Sequence, residues 1–167
     1  MDISLAPFRL CLGCRVEHLV DQALENVDAD TSDALGSIDR SIDCLVDAAK
    51  ALADDYFKSF SRISGKNGNP AGSKMASVRD RVGATGKTLE IRWIVSFGTE
   101  SGRQRRTIAK GKGHSYSIPK LVRRCPDWER ELIHDTEIQF ARIRSTYSEL
   151  MAVKQLLIKS KRGLRVE

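Results

Sequence analysis

Several chemistries are excluded by what the sequence has little of. Three histidines, His18, His114 and His134, are scattered over 167 residues, and none belongs to a His-x-His pair. A metal-binding histidine cluster beside a nucleophilic tyrosine, as a nicking relaxase needs, is therefore not expected. Uncharged apolar stretches are short, Ile3–Phe8 and Trp93–Phe97 among the longest, against the roughly 18–20 residues of a spanning helix. No membrane partner is expected. Asp2 stands where a secretory signal carries basic residues and Arg9 interrupts the following apolar run, so a cytoplasmic location is the default expectation. Four cysteines in such a compartment read as reduced, buried small hydrophobes rather than as a disulfide framework. Cys11 and Cys14 form a CxxC with His18 four residues on, yet a fourth ligand is missing and no second pair occurs. Neither a metal nor any other cofactor is expected.

Acidic residues are also scarce where basic ones are dense. The net charge is +6, but residues 1–61 carry five basic and twelve acidic side chains, whereas residues 62–124 carry fifteen basic and only three acidic ones, Asp80, Glu90 and Glu100. Charge this one-sided repels itself, and the usual compensation is a polyanion, nucleic acid first among them. A solvated basic face, or one turned to an acidic protein or lipid surface, is the competing reading.

Periodicity divides the chain into helical ends and a β-rich middle. Leu35, Ile38, Ile42, Leu45, Ala49, Leu52 and Tyr56 recur at steps of three and four, so a heptad-like helix is expected over about 32–63. Asp30, Thr31, Ser32 or Asp33 would cap it, and Gly65 with Asn67, Gly68, Asn69 and Pro70 would end it. A separate shorter helix carrying Val16, Leu19, Val20, Ala23, Leu24 and Val27 is expected to pack on it. Leu89, Ile91, Trp93, Val95 and Phe97 alternate with Glu90, Arg92, Ile94 and Ser96, the mark of a strand with one buried face. Trp93 belongs to the apolar set and is expected in the core. Arg103–Lys110 can return as an antiparallel partner after a turn at Gly98–Gly102, and Met75–Val82 can add a third strand. Pro126, then Asp127, Glu129 and Glu131, open a second long helix that ends at Lys159, Lys161, Arg162 and Gly163.

The expected fold is thus α+β: helices of about 32–63 and 126–162 in an antiparallel pair, flanking a small basic antiparallel sheet of about three strands. A dimeric coiled coil, hence a homodimer, is the competing arrangement. Along one overall domain, residues 1–64 form an acidic helical region, 65–125 a basic β-rich segment and 126–167 the C-terminal helix.

Two catalytic motifs fail on context. Gly86, Lys87 and Thr88 match the end of a phosphate-binding loop, but a strand follows them where that loop must open a helix, so a hairpin turn is expected. Asp80 with Glu90-x-Arg92 suggests a metal-dependent nuclease only weakly, since so few acids exist in the segment. The basic residues themselves read as a phosphate clamp. Arg79, Arg81, Lys87, Arg92, Arg103, Arg105, Arg106, Lys110, Lys112, His114, Lys120, Arg123 and Arg124 are the candidates, with Tyr116 to stack on exposed bases.

Leu89-Glu-Ile-Arg-Trp93, the Arg-rich return strand, Lys110-Gly-Lys-Gly-His-Ser-Tyr116, Pro126-Asp-Trp-Glu-Arg-Glu-Leu132 and Glu137-Ile-Gln-Phe-Ala-Arg-Ile-Arg144 together resemble the MobI family, over about 45–160. Trp93, Gly111, Gly113, Tyr116, Trp128 and Glu129 carry the resemblance. It implies a non-catalytic accessory factor of integrative and conjugative elements and conjugative plasmids, needed to start DNA transfer at the origin of transfer beside a separate relaxase. DNA and the relaxase are the partners it implies. A helical adaptor whose basic face binds RNA or an acidic protein is the alternative.

Overall fold

A computed structural model describes residues 8–67, 74–83, 86–99 and 102–163. In chain order the elements are α1 (Phe8–Asn67), β1 (Lys74–Gly83), β2 (Gly86–Thr99), β3 (Gly102–Thr107), the short α2 (Ile118–Leu121) and α3 (Asp127–Gly163). The arrangement is α+β, as expected. Two compact units divide it, one of Met1–Arg40 with Met151–Glu167 and the other of Ser41–Leu150.

The two N-terminal helices expected from periodicity are one continuous helix. Thr31 and Ser32, read as caps, instead turn their hydroxyls back onto the carbonyls of Val27 and Asp28, both at 2.7 Å. A hydroxyl bonded to the preceding turn leaves the backbone ladder intact, so the helix runs through. A single internal glycine such as Gly13 costs only about 1 kcal/mol relative to alanine, too little to break it. The helix also runs two residues past Gly65, to Asn67; the rest of the expected loop, 68–73, lies outside the described residues.

In the first unit α1 and α3 run antiparallel. Lys154 Nζ lies 2.5 Å from Asp39 Oδ1, and Lys161 Nζ lies 2.9 Å from Asp28 Oδ1 and 2.7 Å from Ser32 Oγ. The basic end of α3 is thus matched by aspartates of the acidic segment.

In the second unit the seam of α1 buries Ile42, Val46, Ala49 and Tyr56, and α3 contributes Ile133 and Phe140. Trp93 sits at the centre with no exposed surface. Its ring meets Tyr56 edge-on at 5.1 Å and Phe140 at 6.0 Å, and Phe60 packs on Trp128 at 5.5 Å. Both helices therefore cover the same face of the sheet.

The three strands are antiparallel in the order β1-β2-β3. Trp93 faces Ala76 across the first pair, so the indole has a methyl group opposite it. Gly83 pairs with Gly86, which makes the Gly86-Lys87-Thr88 segment the far side of a tight hairpin, as expected. β1 forms despite its charges because they alternate. Val78 and Ala76 pack on the core, Arg79 and Arg81 point away, and Asp80, on the inner face, meets Lys50 Nζ at 3.0 Å.

Candidate nucleic-acid interface

The segment after β3 shapes the basic surface. Ile108 N donates to Trp93 O at 2.8 Å, carrying the β2–β3 pairing one residue past the strand. Gly111 and Gly113 then both take φ +84°, the left-handed region open to glycine, with open space where a Cβ would stand. The chain is turned twice there, and Lys110 Nζ donates to the carbonyl of Gly113 across the turn.

Buried carboxylates of α3 bring the chain back. Tyr116 N donates to Glu137 Oε1 at 2.7 Å, Trp93 Nε1 donates to Glu137 Oε2 at 2.7 Å, and the Arg144 guanidinium pairs with the same carboxylate. Arg144 also donates to the carbonyl of His114 and lies 5.2 Å above the Tyr116 ring. Glu137 is 1% exposed, so this one side chain joins sheet, arm and helix away from water. Burial lowers the pKa of Arg144, opposed by Glu137, and raises that of Tyr116, opposed in part by a Trp93 backbone hydrogen bond and by Arg144.

A second buried carboxylate, Glu129 on the first turn of α3, accepts from Lys74 N at 2.9 Å. Tyr56 Oη donates to the carbonyl of Lys74 at 3.0 Å, and Lys74 Nζ donates to the carbonyl of Arg123 at 3.4 Å. The start of β1 is thereby tied to α1, to α3 and to the turn between α2 and α3. Burial, with Glu129 adding to it, pushes the Cys125 thiol up to about 11. Burial likewise drives the Tyr56 hydroxyl upward.

The expected basic residues separate into distinct places. Arg79, Arg81 and Arg92 share the outer face of the sheet, opposite Trp93, where among the described residues Glu90, paired with Arg92, opposes their charge, whereas Arg105 lines a separate cavity with Tyr56, Phe57 and Phe60 of α1. Arg106, Lys120, Arg123 and Arg124 line a cavity of about 490 Å³ with Lys74 and the apolar Val95 and Ile108. Lys110, Lys112 and His114 lie on the double turn. The side chains of Lys87 and Arg103 lie outside the described residues.

Tyr116 departs from expectation. It is 6% exposed and its ring lies against Arg144, so it is a fixture of the core rather than a platform open to bases. Cys44 is exposed, not buried, whereas Cys125 fits the expected buried thiol. The side chains of Cys11, Cys14 and His18 lie outside the described residues. Asp80 and Glu90 fall on opposite faces of the sheet, which separates the carboxylates a nuclease would need together. Among the described residues no three His, Cys, Asp or Glu side chains group as metal ligands.

Sequence reasoning missed Lys74, and it assigned no role to Glu137 or Arg144. A signal was present for the pair. Glu137 and Arg144 stand seven apart, inside the apolar stripe of Ile133, Phe140 and Ile143, where charged residues must find each other.

Fold and site thus define an α+β protein whose basic sheet and arm are anchored on a helix pair by two buried glutamates. The family model described as MobI protein matches residues 45–158, and the chain belongs to the MobI family. That membership suggests an accessory role in mobilisation, and the family is not a known enzyme family. No curated protein and no solved structure matches the chain. No described helix is long and apolar enough to cross a membrane.

Proposed function

We propose that this chain is a non-catalytic DNA-binding factor that helps to initiate conjugative transfer at the origin of transfer, acting in the cytoplasm beside a separate relaxase. The observation that carries this reading is the outer face of the sheet, where Arg79, Arg81 and Arg92 stand together on β1 and β2 beside Glu90. Guanidinium groups on a rigid sheet are spaced to take up phosphate oxygens bidentately, and such contacts position a protein on DNA without chemistry. The relaxase would supply the nucleophile. The acidic helical region is the complementary surface for a protein partner.

The test is fluorescence anisotropy with origin and unrelated DNA across a salt titration. Tight binding with an origin preference is expected. Replacing Arg79, Arg81 and Arg92 with Ala should weaken binding to every sequence and flatten the salt dependence by about 0.9 slope units per lost phosphate contact. An unchanged slope would move the footprint off the sheet, and no binding at low salt would favour the adaptor reading.

A further inference from the structure

The cavity on the inner side of β3 is separate from the outer sheet face of Arg79, Arg81 and Arg92, because Arg106 stands on the same side of the strands as Val95 and Ile108, the side of Trp93. Lys74, Arg106, Lys120, Arg123 and Arg124 bring five cationic side chains to its wall, and among the described residues no acidic one lines it. Lys74 is 5% exposed, held by its backbone on Glu129 and by its ammonium group on the carbonyl of Arg123. That bond fixes the turn that carries the two arginines. The turn itself is strained: Arg124 has φ 63°, the only positive value at a non-glycine among the described residues. A long side chain in the left-handed region is disfavoured, and such outliers gather where function requires them. Nothing in the local packing calls for arginine there, since the residue is exposed.

From these features we infer that the cavity is a phosphate-binding pocket, taking one phosphodiester of a nucleic-acid strand. The inference rests on the DNA-binding reading and gives it a second, recessed subsite. About 490 Å³ lies within the range of small-ligand sites, which is wide enough for a phosphate with part of its nucleotide. A clustered set of arginines and lysines matches the geometry and charge of phosphate. The strain at Arg124 is then the cost of aiming a guanidinium into the pocket.

The experiment uses the full chain and three probes: inorganic phosphate against chloride at equal ionic strength, a single-stranded oligothymidine, and the same oligomer with neutral methylphosphonate linkages. Phosphate should raise the melting temperature, as any ligand selective for the native state does, and the charged oligomer should bind far better than the neutral one. Arg124→Gly relieves the backbone strain, so its melting temperature should rise by about 2–4 °C while phosphate protection is lost and oligomer affinity falls about tenfold, the size of one lost charge-assisted contact. Arg124→Lys should keep most of the affinity. If the oligomer binds but Arg124→Gly and Arg123→Ala change neither affinity nor phosphate protection, the pocket is refuted and the sheet-face reading survives. If phosphate protects through Arg124 but no oligomer binds, a small free phosphate compound is the ligand and the strand assignment falls. If neither binds, both readings fall together.

Discussion

Trp93 Nε1 donates to Glu137 Oε2 at 2.7 Å, and the two side chains are 0% and 1% exposed. The central indole of the sheet is thus aimed by a carboxylate that α3 buries. The same carboxylate accepts from the Tyr116 backbone and pairs with Arg144. Position of the basic arm and integrity of the core therefore depend on one group.

Glu137→Ala would leave Arg144, Trp93 Nε1 and Tyr116 N without that acceptor. Removing one partner of a buried ion pair costs about 3–5 kcal/mol, and urea denaturation should register a loss of that size. Trp93→Phe removes the donor to Glu137 Oε2 while Tyr116 N and Arg144 still hold Oε1, so a smaller loss of about 1–3 kcal/mol is expected. Equal losses in the two variants would show that the carboxylate's contacts to Tyr116 and Arg144 add nothing beyond its bond to Trp93.

Alkaline pH should destabilise the fold. Cys125 has its thiol raised from 9.0 to about 11, and Tyr56 is raised as well. An acid with a raised folded pKa keeps its proton in the native state after the unfolded chain has released it, so stability is full below about pH 9 and is lost as pH rises toward 11. Thermal melts between pH 8 and 11 should fall accordingly, and Cys125→Ala should flatten part of the decline. The same shift makes Cys125 resist alkylation at pH 8, whereas the exposed Cys44 should react quickly, a contrast that peptide mapping by mass spectrometry would read out.

Gly111 and Gly113 both have φ +84° with open space around them. Substitution by alanine should cost about 1–2 kcal/mol at each position from backbone conformation alone, and asparagine should cost less. A melting curve unchanged by Gly111→Ala would mean that the double turn is not held in this form.

Lys154 and Lys161 already face Asp39 and Asp28. Replacing both with Ala should change stability by only about 0–1 kcal/mol per pair and leave DNA affinity and its salt slope as they were. A lowered slope would place phosphate contacts at the end of α3.

Legibility followed the range of each interaction. The heptad spacing from Ile42 to Tyr56 and the alternation from Leu89 to Trp93 are local signals of one buried face, and both faces are buried as the spacing requires. The break expected near Thr31 failed because a hydroxyl that can cap a helix can equally bond within it. Tyr116 misled for a different reason. An aromatic after a basic run reads as a stacking group, and only Glu137 and Arg144, more than twenty residues on, draw it inward.

Residue order by itself determined the α+β plan, the three-stranded antiparallel sheet and the concentration of positive charge in its middle, because periodicity and charge are written along the chain. It did not determine which basic residues stand together. Alternation sends Arg79, Arg81 and Arg92 to the outer face and Arg106 to the cavity, while the Arg123–Arg124 turn reaches that cavity from beyond α2. Those neighbours are made by packing between segments distant in sequence, with Lys74 and Glu129 as the bonds between them. The tertiary structure alone divides one basic stretch into a face, an arm and a pocket.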